Sequence, residues 1–82
     1  MTGPATSLAA VRDALLAAGA PPESFQLAGA HETVPLPTDF WFARPASPGW
    51  EVGSYERGTY EVRAVLPSVA EVESLLRRVV VP

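Results

Sequence analysis

The chain has 82 residues, enough for one domain (residues 1–82) with a modest core, and its 48% apolar against 18% charged content excludes a disordered tail. Nine acidic against six basic residues leave a net charge of -3, which argues against a nucleic-acid binder, whose affinity rests on cationic contacts to phosphate. There is no apolar run of about 18 residues to span a membrane, no cysteine for disulfides or thiol chemistry, and no basic and apolar leader in the opening MTGPATSLAA.

These features set the expected location in the cytoplasm. All six basic residues are arginine, and Lys, Ile and Asn are missing altogether. Those three belong to AT-rich codons, so the bias points to a GC-rich, bacterial genome. A mildly acidic protein suits a basic partner.

The first predicted element is a helix. Thr6 or Ser7 caps it, and Leu8, Val11, Leu15 and Ala18 recur along one face. Gly19 suits the position just past its end, and Pro21-Pro22 prevents continuation. ESFQLAG then reads as a short extended piece with Phe25 and Leu27 on one side.

A proline-rich loop, AHETVPLP, follows, in which Pro35 and Pro37 remove two ladder donors. TDFWFAR has the composition of a strand, with Phe40 and Phe42 on one face and Asp39, Trp41 and Ala43 on the other. PASPG makes the next turn.

WEVGSYERGTYEVRA, from Trp50 to Ala64, reads as a hairpin whose register can be tested on paper. A two-residue loop of Arg57-Gly58 pairs Glu51 with Ala64 and Val52 with Arg63, mixing apolar and charged residues on both faces. A three-residue loop of Glu56-Arg57-Gly58, with Gly58 at the left-handed position of a G1 bulge, separates them better. In that register Trp50, Val52, Ser54, Tyr60, Val62 and Ala64 share one face. The other face carries Glu51 across from Arg63, Gly53 across from Glu61 and Tyr55 across from Thr59. A single-residue slip would turn every side chain over, so the three-residue register is the expectation.

The last element is a helix opened by the capping box Ser68-x-x-Glu71. Val69, Val72, Leu76 and Val79 form its apolar stripe with Leu75 beside it, and Arg77 and Arg78 complement the dipole at its C-terminal end. The order of elements predicts an α+β two-layer sandwich: an antiparallel sheet of three to four strands with the N- and C-terminal helices packed on one face. The other face is then left open.

Chemistry is sparse. The lone His31 beside Glu32 falls short of the three or four ligands a zinc site needs, so no metal is expected. No serine sits in a nucleophile motif, and the two glycines of GSYERG precede no helix, so neither a phosphate loop nor a cofactor is expected. The predicted open sheet face gathers Trp41, Glu51, Tyr55, Glu56, Arg57, Glu61 and Arg63. Aromatics mixed with arginine and rimmed by carboxylates have the composition of a protein-binding patch.

VRDALLAAGAPPESFQLAG, followed by WEVGSYERGTYEVRA and a capped final helix, resembles small actinobacterial immunity proteins, which are encoded beside polymorphic secreted toxins and silence them by binding. The resemblance covers most of the chain from Val11 to Val79. It departs from the pattern in the long AHETVPLPTDF segment. It implies a cytosolic, non-catalytic inhibitor whose partner is a toxin catalytic domain with a basic surface. The alternative is a small accessory module that binds a housekeeping protein, or forms a homodimer, through its open face.

Overall fold

A computed structural model describes residues 7–82. Thr6, one of the two expected caps of the first helix, lies outside the described residues. The other cap is present: the Ser7 side chain accepts from the Ala10 amide at 3.2 Å and opens α1, Leu8–Ala17. The helix ends in a Schellman arrangement, with Ala20 N–H donating to Leu15 C=O and Gly19 N–H to Leu16 C=O, around Gly19 at φ 97°. A single 3-10 turn, Pro22–Ser24, leads into β1, Phe25–Leu27.

Three longer strands follow: β2, Asp39–Pro45; β3, Trp50–Glu56; and β4, Thr59–Leu66. The chain closes with α2, Val69–Val80, whose Ser68 cap accepts from the Glu71 amide at 3.3 Å while its hydroxyl meets the Glu71 carboxylate at 3.1 Å. The strands form one sheet in the order β1-β2-β3-β4. Both helices lie on one face of it, in the α+β arrangement the element order predicts. The short first strand is the exception to antiparallel pairing, since β1 runs parallel to β2. The crossing loop from Ala28 to Thr38 carries the chain back so that β2 runs in the same direction.

The main core joins α1 and α2 to the sheet. Val11 and Leu15 of α1 and Val72 and Leu76 of α2 are fully buried against Phe25, Leu27, Ala43 and Val52. The fourth core position of α2 is Val80, one residue beyond the predicted Val79, which stays 40% exposed. Four-residue steps from Val72 through Leu76 to Val80 hold one side of the helix, and that side meets the sheet.

The hairpin differs from its predicted register. Arg57 at φ 48° and Gly58 at φ 90° form a two-residue turn of the primed type, and Glu56 pairs with Thr59. Tyr55 then faces Tyr60, Ser54 faces Glu61 and Gly53 faces Val62. Between Gly53 and Val52 the register shifts, so that Val52 faces Ala64 and Glu51 faces Val65, leaving Arg63 as the extra residue of a β-bulge. The bulge is the physical reason the paper register failed. A two-residue loop mixes the faces only if the ladder is regular throughout, and one inserted residue at position 63 restores apolar Ala64 and Leu66 to the helix side.

Gly53 is what admits the bulge. A Cβ there would lie 2.0 Å from the carbonyl oxygen of Glu61. Only a residue without a side chain lets β4 approach this closely.

The assignment of β2 to faces is also reversed. Trp41 and Ala43 point to the helices, and Phe40 and Phe42 to the face the helices leave bare. Each phenylalanine is nevertheless only 4% exposed. They are covered by rings of the neighbouring strands rather than by a helix. Phe40 stacks on Tyr55 at 4.5 Å between centroids, and Phe42 meets Tyr60 edge-on at 5.2 Å.

Candidate functional site

The seven residues expected on one open face are divided by the bulge and by the orientation of β2. Glu51 and Tyr55 lie on the bare face. Arg57 stands at the hairpin tip, where its backbone N–H donates to Thr38 C=O at 2.9 Å. Trp41, Glu56, Glu61 and Arg63 belong to the helix-side face, at the end of the sheet that the helices do not cover.

There they line an open groove of about 620 Å³ between the hairpin tip and the C-terminal end of α2. Its walls include Ser24, Asp39, Trp41, Ser54, Glu56, Thr59, Glu61 and Arg63, with Val79 and Val80 at the helix end. Phe40 and Tyr55 also border it, so five of the seven expected residues converge on one surface. The exposure of Val79 follows from its place on this wall.

The charge arrangement in the groove is uneven. Arg63 is engaged twice: its Nη2 meets Glu61 Oε1 at 2.7 Å and its Nε donates to the Ser54 hydroxyl at 3.2 Å. Glu61 is thereby compensated. Asp39 and Glu56 are not: they are direct cross-strand partners of like charge, both exposed, and neither forms an ion pair among the described residues. Like charges placed directly opposite destabilise a sheet pair by tenths of a kcal/mol.

Asp39 was missed by the sequence reading. It sits at the first position of β2, and only the β2–β3 register brings it to Glu56. That register follows from the tight Ala46–Gly49 connection, closed by Ala46 N–H donating to Gly49 C=O at 2.8 Å.

The bare face has a different character. Arg44 Nε donates to Glu51 Oε1 at 2.8 Å, and the guanidinium carbon sits 5.0 Å from the Phe42 ring centre and 5.8 Å from that of Tyr60. Glu51 therefore finds its arginine on β2, not at the predicted Arg63. Tyr60, Val62 and Val65 extend this face along β4 and remain 49%, 41% and 58% exposed.

His31 is a structural residue. Its ring stacks on Phe25 at 4.4 Å and its Nε2 lies 2.7 Å from Pro22 C=O, which ties the loop after β1 to the 3-10 turn. Among the described residues no group of three or more His, Cys, Asp or Glu is placed to hold a metal ion, and no helix is long and apolar enough to cross a membrane. No family model, curated protein or solved structure matches the chain.

Proposed function

We propose that the protein is a non-catalytic binding protein of the toxin-neutralising kind, acting in the bacterial cytoplasm, and that the groove at the hairpin tip receives a basic surface of the toxin domain. The observation that carries this reading is the uncompensated pair Asp39 and Glu56, set directly opposite each other beside Trp41. A cationic side chain inserted between two such carboxylates relieves their repulsion and gains charge-assisted hydrogen bonds. Trp41 supplies a ring of the type that anchors protein interfaces, and the net charge of -3 favours encounter with a basic partner. The resemblance of the helix, hairpin and final capped helix to immunity proteins supports the same reading.

The test begins with the tagged full chain used to capture partners from the source cytoplasm. A captured protein is then purified and titrated calorimetrically. The expected partner is larger, presents a basic surface, and loses its toxicity when the two are produced together. Glu56→Lys with Asp39→Lys is expected to weaken that complex about a hundredfold or more, with an unchanged circular dichroism spectrum. Undiminished affinity of the folded double variant would remove the groove from the interface. A bound protein whose activity continues in the complex would remove the inhibitory role.

A further inference from the structure

β4 is an edge strand eight residues long with no neighbour on its outer side among the described residues. The two-residue turn closes the hairpin at the Glu56–Thr59 pair, and hydrogen bonding alternates along an antiparallel ladder. The N–H and C=O groups of Tyr60 and Val62 therefore point away from β3, to the open side. Natural edge strands are commonly kept solitary by prolines, by charged side chains or by bulges that turn the edge away, and a bulge keeps an edge solitary only against a partner that cannot match it. β4 has no proline, and its two charged residues, Glu61 and Arg63, are opposite in sign.

We infer that β4 pairs antiparallel with β4 of a second copy, about a twofold axis at Val62, joining the two sheets into one. The inference does not rest on the toxin-binding reading; it needs only this chain. Three features select this partner and this register. With Val62 facing Val62 of the second copy, Glu61 falls opposite Arg63, twice by symmetry, so the charges are self-complementary.

The bulge is matched as well. Arg63 and Ala64 together occupy the place of one residue against Val52, and across the twofold axis they oppose Glu61 in the same way. That brings Tyr60 opposite Val65. The three exposed apolar residues of the bare face then form one continuous row across both copies. Moving the axis by one residue to Glu61 sets two carboxylates against each other and leaves Arg63, which keeps its 2.7 Å contact to Glu61 of its own chain, with no acid of the second copy opposite it.

Sedimentation equilibrium of the full chain at low salt, from micromolar to millimolar concentration, is expected to show a monomer–dimer equilibrium. Amide exchange at Tyr60 and Val62, followed by NMR over the same range, is expected to slow as dimer accumulates. Glu61→Arg sets arginine against arginine at both symmetry-related positions and is expected to raise the dimer dissociation constant at least about tenfold. Glu61→Arg combined with Arg63→Glu restores opposition and is expected to return it to within about threefold of the original. A chain that stays monomeric at millimolar concentration overturns the inference. So does a dimer that Glu61→Arg leaves intact, a double exchange no tighter than the single one, or unprotected Tyr60 and Val62 amides in the dimer.

Discussion

The two faces of this sheet bury aromatic rings to nearly the same extent by different means. On one face Phe25 lies under α1 and α2, among aliphatic side chains carried by separate elements. On the other, Phe40 and Phe42 lie under Tyr55, Tyr60 and Arg44, side chains of the same sheet. Fractional burial alone does not distinguish them. What differs is whether the cover is a packed element, which cannot follow a shrinking side chain, or a set of exposed rings, which can.

Truncation should separate the two. Phe25→Ala leaves a cavity walled by helices and is expected to cost about 4 kcal/mol, while Phe42→Ala, over which Tyr60 and Arg44 can settle, is expected to cost about 2 kcal/mol. Urea denaturation of both variants checks this. Equal losses would mean that the bare face is packed as rigidly as the core.

Gly53→Ala probes the backbone on which the bare face is built. Its Cβ would meet the Glu61 carbonyl oxygen at 2.0 Å and the carbonyl carbon at 2.8 Å, and backbone cannot step aside as a side chain does. The expected loss is about 3 kcal/mol, the upper part of the range for overpacking. The Tyr60 and Val62 resonances should move more than those of α2. A change of less than about 0.5 kcal/mol would mean that the bulge at Arg63 relaxes freely.

How much of this was legible in the sequence follows the same division. The helices, the Ser68-x-x-Glu71 cap and the Gly19 stop could be read because each is a local pattern satisfied within a few residues. The helix-side burial of Val52 and Trp50 followed from alternation. The bulge at Arg63 could not be read, because it depends on the absence of a side chain at Gly53, ten residues earlier on the opposing strand. Once it is present, Glu61 and Arg63 sit on the helix side while Tyr60 and Val62 sit on the bare one.

The orientation of β2 was hidden for a related reason. Phe40, Trp41 and Phe42 are all large and apolar, so period-two alternation cannot tell which face the helices take. Trp41 and Glu61 line one groove, on the opposite side of the sheet from the expected open face, because both changed sides together. Parallel β1 was beyond reach, since three residues carry no directional signal.

Helix α2 covers one face only, so weakening it should leave the other untouched. Ser68→Ala removes the acceptor of the Glu71 amide and is expected to cost about 1 kcal/mol of global stability. The ring contacts among Phe40, Phe42, Tyr55 and Tyr60, followed through their aromatic proton shifts, should stay unchanged in the folded protein. Altered shifts there would show that the faces are coupled through the sheet.

The smallest expected effect concerns the ion pair on the bare face. Arg44 and Glu51 are direct cross-strand partners with a 2.8 Å contact, and their side chains are 43% and 31% exposed. A double-mutant cycle of Arg44→Ala and Glu51→Ala is expected to give a coupling of about 0.5 kcal/mol, as for partly exposed pairs, and to shrink it further in high salt. The single Arg44→Ala change should cost more than Glu51→Ala. Only the arginine also lies over Phe42 and Tyr60, and that contact outlasts the loss of its carboxylate. Arg44→Lys keeps the charge and gives up the planar group that covers the rings. If lysine restored full stability, the pair would be electrostatic alone, and the cover over Phe42 would have to come from Tyr60.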